Sequence, residues 1–156
     1  MTVGDRTGTR LWPAVIALAL LVLPSSAPAF LGGNTASVQA DQLQMNGTLR
    51  TGSAGQYTQY DIEMPSGTVV REYVSPAGMV FAVTWDGPSQ PNLRQVLGNY
   101  FVQYIDGART RGPRANPRVI QQPGLVLHTG GHMRAFFGKA YIPQLVPPGV
   151  NPDDLN

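Results

Sequence analysis

The chain has 156 residues, with 18 Gly, 14 Pro, no Cys and only 13% charged residues. This length accommodates one domain at most, and 42% hydrophobic residues suffice for a core, which excludes collagen-like and wholly disordered classes. The lack of Cys excludes disulfides, thiolate metal sites and thiol nucleophiles within this chain.

Residues 1–29 have the three parts of a secretory signal peptide: a basic start, an apolar run over residues 11–23 and small residues before a cut. We expect cleavage between Ala29 and Phe30. The apolar run is shorter than the roughly 20 residues that cross a bilayer, so a retained membrane anchor is the less favoured alternative. The mature chain carries 9 basic and 8 acidic groups, a near balance that disfavours nucleic-acid binding.

The first predicted element of the mature chain is a short helix over residues 36–45. Asn34 or Thr35 can cap its start, and Asn46-Gly47 can adopt the left-handed conformation that ends a helix. Its narrow apolar stripe consists of Ala36, Ala40 and Leu43.

Three strands are predicted next, over residues 57–64, 68–74 and 79–85, from period-two alternation and from β-branched and aromatic residues. Short turns that contain Pro and Gly separate them, so they form an antiparallel meander. In the third strand we expect the large residues to share the core face: Met79, Phe81, Val83 and Trp85.

An amphipathic helix over residues 92–105 has apolar side chains at steps of three and four, and Asp106-Gly107 is expected to end it. The apolar stripe of this helix is expected to pack against the apolar face of the meander. Residues 107–124, rich in Arg and Pro, are predicted to form a flexible loop.

A hairpin follows, with strands over residues 125–128 and 132–142 around a turn at Thr129-Gly130-Gly131. The Pro-rich residues 143–156 are predicted to form an extended tail. The resulting fold class is α+β: a short helix, a three-stranded antiparallel meander, an amphipathic helix and a C-terminal β-hairpin, packed as one two-layer domain over residues 30–142.

Several segments, in this order, resemble a known family: LGG with ASV and Asp41 in residues 31–41, PSGTVVREYVSPAGMVFAVTW in residues 65–85, LRQVLG in residues 93–98 and HTGGHMRAFFGKAYIP in residues 128–143. The chain resembles domain-of-unknown-function family 2844, a group of secreted proteobacterial proteins. The resemblance covers nearly all of the mature chain. It implies an exported or envelope protein and carries over no catalytic residue.

The histidines, His128 and His132, are the weak candidates for a metal site. If Gly130-Gly131 is a two-residue turn, the imidazoles lie on opposite faces of the hairpin; if Thr129 joins the loop, they face each other across it. Even then a third ligand is missing nearby, so we expect ordinary hairpin residues, with no metal and no cofactor.

Residue patterns that are typical of catalytic sites are weak in this sequence. Asp61 and Glu63 share one strand face and could form a carboxylate pair, but a solvated surface is the simpler interpretation. Arg71 and Glu72 in the next strand offer ion-pair partners across the sheet. No serine lies in a nucleophile elbow, so a serine hydrolase is not indicated.

Four arginines within ten positions are the most suggestive feature: Arg109, Arg111, Arg114 and Arg118. Such a cluster could clamp phosphate or carboxylate groups, whereas the simpler interpretation is a linker kept soluble by its charge. Binding through it should weaken as salt rises.

These observations predict a small exported domain of the periplasm or cell exterior, acting as a non-catalytic binding or assembly module. The expected partner is an envelope protein or an anionic envelope polymer or lipid, with no nucleic acid and no membrane span after cleavage. The alternative is an envelope hydrolase with an unrecognised carboxylate site.

Overall fold

The computed structural model describes residues 31–53, 55–111 and 118–156, except for the side chains of Thr110 and Arg111. The predicted signal peptide, the expected cut between Ala29 and Phe30, and Arg114 therefore lie outside the described residues.

Seven strands form one open antiparallel sheet. They are β1 (Thr48–Ser53), β2 (Thr58–Glu63), β3 (Val69–Val74), β4 (Val80–Gly87), β5 (Arg118–Gln122), β6 (Leu125–His132) and β7 (Ala135–Tyr141). Their order across the sheet is β1-β2-β3-β4-β7-β6-β5, so the last three strands extend the meander beyond β4.

In the described part of the chain, three helices connect and cover the strands: α1 (Thr35–Gln44), α2 (Leu93–Leu97) and α3 (Phe101–Arg111). The side chain of Asn34 caps α1 by accepting a hydrogen bond from the amide of Ser37 at 3.1 Å, and Asn46 leaves the helix with a positive φ of 49°. A single 3-10 turn, Gly98–Tyr100, separates α2 from α3, and Gly98 supplies the positive φ that this break requires.

The main core lies between the helices and one face of the sheet, which we call the helix face. Its fully buried members include Val38 of α1, Leu97 of α2 and, from the sheet, Ile62, Trp85 and Leu127. The opposite face, which we call the tail face, carries a smaller cluster in which Leu155 packs with Tyr73, Phe81 and Ala82.

The α+β class and the antiparallel meander are confirmed. Two predictions of which side chains face the main core were wrong. The pairing of β3 with β4 shifts between Tyr73 and Val74, so that Phe81 joins the tail face while Val83 and Trp85 stay in the main core. In α1 the buried residues are Ser37, Val38 and Asp41, and the predicted stripe residue Leu43 is 69% exposed.

Part of the predicted loop at residues 107–124 is regular structure. The helix does not end at Gly107 but continues as α3 to Arg111, and β5 begins at Arg118. A Cβ atom at Gly107 would lie 2.7 Å from Cγ2 of Ile120, so this glycine permits the close approach of α3 to β5. Residues 112–117 lie outside the described part of the chain.

The predicted turn at Thr129-Gly130-Gly131 was also wrong, because these residues lie inside β6, which runs to His132. The strands turn at Met133 and Arg134, and Arg134 has a φ of 66°. A Gly-Gly pair therefore marked a strand segment with an unusual backbone, since Gly131 has a φ of 123°.

Residues 143–156 contain two 3-10 turns, Pro143–Leu145 and Pro152–Asp154, and Leu155 is 3% exposed. The extended-tail prediction therefore misses a packed segment, which we call the C-terminal segment. Within the described residues, no helix combines the length and the hydropathy needed to cross a membrane.

Candidate functional site

The candidate binding site is a groove of about 360 Å³ on the tail face, which we call the tail groove. Neighbouring strands β4, β7 and β6 form its floor, and the C-terminal segment forms one wall. Its lining includes Asp86, His128, Phe137, Lys139 and Leu155.

Lys139, the only lysine of the chain, holds this wall in place. Its ammonium group donates hydrogen bonds to the carbonyl oxygens of Pro152 at 2.8 Å, Asp153 at 3.0 Å and Leu155 at 3.2 Å. Three carbonyl partners occupy all three N–H donors, so the charge of Lys139 serves the C-terminal segment rather than a ligand.

Tyr73 makes a second attachment, because its hydroxyl donates to the carbonyl oxygen of Asn156 at 2.5 Å. Burial raises the pKa of Tyr73, which keeps the hydroxyl neutral and able to donate. Leu155 fills the space between these two polar attachments and closes the smaller core cluster.

The open side of the groove combines an aromatic ring with charge. Phe137 is 49% exposed, although it is a large apolar side chain. Asp86 forms an ion pair with Arg71, which brings an arginine to the edge of the groove. Apolar surface beside a few fixed polar groups is the composition of a binding surface.

A second unusual feature is a buried pair of acids, Asp41 of α1 and Glu72 of β3, which we call the carboxyl pair. Asp41 is fully buried and Glu72 is 2% exposed. Asp41 Oδ1 accepts a hydrogen bond from the side-chain amide of Gln95 at 3.1 Å. Asp41 Oδ2 and Glu72 Oε2 have no hydrogen-bond partner in the described part of the chain. The two carboxyl groups contribute a side-chain hydrogen bond to each other's titration, which requires that one of them carries a proton.

Burial dominates the titration of the carboxyl pair. It raises the pKa of Asp41 from 3.8 to about 6, against the opposing hydrogen bonds from Glu72 and Gln95. Burial and the neighbouring charge of Asp41 raise the pKa of Glu72 well above its ordinary 4.5. Because the pair is closed off from solvent, it can store a proton but cannot touch a substrate in this conformation.

The sequence predicts that Arg71 and Glu72 form ion pairs across the sheet, and of these two residues only Arg71 does so. Arg71 lies on the tail face and pairs with Asp86, whereas Glu72 points to the helix face and contacts Asp41. The alternation of β3 contained the signal for this, because Glu72 falls between Val70 and Val74 on the apolar face.

The structure places two of the four arginines of the predicted cluster, Arg109 and Arg118, on different elements. Arg109 lies on the exposed surface of α3 and forms a 3.6 Å ion pair with Asp106. Arg118 lies on β5, where its Nη1 donates to the hydroxyl of Tyr104 at 3.3 Å. The side chains of Arg111 and Arg114 are outside the described part of the structure.

The two histidines do not face each other across a turn, so neither arrangement expected for them is found. His128 and His132 both lie on β6, four residues apart, which separates them by roughly 13 Å at the usual rise per residue. His128 borders the tail groove. Among the described residues, no group of three or more metal-ligating side chains forms a candidate metal site.

Asp61 and Glu63 lie on the tail face of β2, away from the tail groove. Asp61 accepts a hydrogen bond from the side chain of Gln59 at 2.7 Å, and Glu63 pairs with Arg50 at 3.5 Å. Both arrangements are surface contacts between neighbouring polar residues, as the simpler interpretation of these acids predicts.

Comparison with known proteins gives one match. No curated protein and no solved structure matches the chain. The model of a family described as a protein of unknown function, DUF2844, matches residues 27–155, so the chain belongs to the DUF2844 family.

Proposed function

We propose that this protein is an exported, non-catalytic binding or assembly module that contacts its partner through the tail groove. The observation that carries the proposal is the half-exposed aromatic ring of Phe137 beside the Arg71–Asp86 ion pair on an otherwise well-packed sheet. The proposed partner is an envelope protein or an anionic polymer or lipid of the envelope, in the periplasm or outside the cell.

Two further observations support this proposal over the alternative of an envelope hydrolase. The carboxyl pair is enclosed, so its raised pKa values do not provide an acid at a surface that a polymer could reach. Asp61 and Glu63 make surface contacts and do not line the tail groove.

Export is supported by the signal-type composition of residues 1–29. Mass spectrometry of the exported protein should find Phe30 as its first residue. An intact N-terminus would contradict cleavage and favour the retained anchor.

Affinity purification from chemically crosslinked cell envelopes tests the binding role. We expect a reproducible partner with the natural protein, much less of it with Phe137→Ser, and an unchanged yield with the control Val102→Ser. Val102 is suitable because it is 66% exposed on α3, away from the tail groove. Failure to recover a partner, together with turnover of an envelope polymer by the purified protein, would favour the hydrolase.

A further inference from the structure

Arg118 is a partly enclosed cation for which the described structure provides no acidic partner. Its Nε atom is buried and has no hydrogen-bond acceptor among the described residues, and its contact through Nη1 is to the neutral hydroxyl of Tyr104. The ion pairs found in the described part of the chain all use other arginines. A guanidinium group that is partly withdrawn from water is stabilised by a nearby anion.

Among the described residues, no acid forms an ion pair that would supply that charge. The acidic residues of the described chain are Asp41, Asp61, Glu63, Glu72, Asp86, Asp106, Asp153 and Asp154. None of them forms an ion pair with Arg118. The segment GPRANP at residues 112–117 contains no acid.

Arg118 borders a cavity of about 170 Å³, which we call the Arg118 pocket. It lies where α3 crosses the ends of β5 and β6, and its other lining residues include Gln90, Tyr104, Thr129, Gly130 and Phe136. None of the lining residues is acidic. The described wall of the pocket therefore has a cation and several polar groups and no negative charge.

The hydrogen bonds already made in the pocket leave donors for a ligand. The hydroxyl oxygen of Tyr104 accepts from Arg118, so its own hydrogen is available to donate. The hydroxyl of Thr129 donates to the carbonyl oxygen of Phe137 at 3.3 Å, which fixes its orientation. Gln90 adds a side-chain amide from the connection between β4 and α2.

We propose that the Arg118 pocket binds a phosphate group, with Arg118 as the charge partner and Tyr104 and Gln90 as neutral donors. Three donors from three separate segments of the chain suit a tetrahedral group with several acceptor oxygens, and a guanidinium is suited to bind phosphate oxygens in pairs. The phosphate could belong to a free ion, a phosphomonoester or a lipid headgroup.

This site is separate from the tail groove, because Arg118 and Tyr104 belong to the helix side of the sheet. If the Arg118 pocket does not bind phosphate, the proposal that the tail groove binds a partner still stands. The reverse also holds, since loss of the tail-groove partner through Phe137→Ser does not predict a change in phosphate binding.

Titration of the isotope-labelled exported protein with inorganic phosphate, at constant ionic strength, tests the proposal by NMR. We expect saturable shifts of the Thr129 and Gly130 amide signals. The dissociation constant should rise at least tenfold in Arg118→Gln and severalfold in Tyr104→Phe, and stay unchanged in Arg109→Gln, the matched exposed arginine. Tyr104→Phe removes a single oxygen atom, so it keeps the test valid if Arg118→Gln fails to fold.

Absence of saturable shifts in the natural protein, or equal affinity in the natural protein, Arg118→Gln and Tyr104→Phe, would overturn the proposal. Acetate serves as the planar competitor, and binding as tight as that of phosphate would overturn the preference for a tetrahedral group. Vesicles that contain phosphatidic acid identify the source. Arg118-dependent sedimentation with them assigns a lipid headgroup, whereas phosphate binding without sedimentation assigns a free ion or a small phosphomonoester.

Discussion

At the scale of single residues, Glu72 is an acid at a strand position whose neighbours on the same face, Val70 and Val74, are buried and apolar. The burial of Glu72 is tolerated because its side chain contacts Asp41 and the two carboxyl groups can share one proton. The carboxyl pair is therefore most stable when at least one of its two groups is protonated.

This arrangement predicts that the carboxyl pair stabilises the fold less as pH rises. In the unfolded chain the two groups lose their protons near their ordinary pKa values of 3.8 and 4.5, whereas the folded chain keeps a proton on Asp41 to about pH 6 and on Glu72 beyond its ordinary range. The folded state thus binds more protons in this window. The contribution of the pair is complete below about pH 4 and declines as pH rises, through about 6 for Asp41 and above the ordinary range for Glu72.

Replacement of Glu72 by Gln should remove much of this dependence. We expect the free energy of unfolding above pH 7 to increase by on the order of 1–3 kcal/mol relative to the natural protein, with no gain at pH 4. Urea unfolding at several pH values measures it. Glu63→Gln is the matched control on an exposed acid, and a Glu72→Gln curve parallel to that of the natural protein would contradict the shared proton.

At the scale of elements, one amine makes three of the hydrogen bonds that hold the C-terminal segment on the sheet. Lys139 bonds three carbonyl oxygens of the segment, and Leu155 supplies the apolar contact that keeps them in reach. The segment and the edge of the tail groove are therefore one structural unit.

We expect the Lys139 amine to react slowly with an acetylating reagent, because all its hydrogens are engaged. Leu155→Ala should loosen the segment and accelerate acetylation of Lys139 severalfold, while Val102→Ala should leave the rate unchanged. Mass spectrometry of peptides distinguishes Lys139 from the terminal amine. Rapid acetylation in the natural protein would show that the three carbonyl contacts do not hold in solution.

The elements also show which patterns could be read locally. Strands β2, β3 and β4 were predictable because polar and apolar residues alternate or β-branched residues cluster, and α1 because Asn34 and Asn46 mark its ends. Strand β1 was missed because it is an edge strand whose Leu49 is its only apolar side chain. Strand β5 was missed because Ile120 is its only buried residue and prolines flank it.

The candidate sites depend on contacts between residues distant in the chain, which local patterns do not contain. Asp41 and Glu72 meet only because α1 packs on β3, and Tyr104 meets Arg118 only because α3 crosses β5. The sequence did carry a partial signal in the acid on the apolar face of β3. No local sequence pattern indicated that the C-terminal segment would form one wall of the tail groove.

At the scale of the whole molecule, one sheet presents two different surfaces. The helix face holds the core, the carboxyl pair and, at its edge, the Arg118 pocket. The tail face holds a small apolar cluster and the tail groove, with Phe137 at its opening. We propose that the helix face maintains the fold and that the tail face meets the partner.

Photo-crosslinking in living cells tests this division most directly. A photoreactive residue is placed at Phe137 in the tail groove or, as controls, at Val102 on α3 and Leu43 on α1, which are both exposed apolar positions. Our account predicts discrete crosslinked products from position 137 and none from positions 102 and 43. The same products from position 102 or 43, with none from 137, would contradict it.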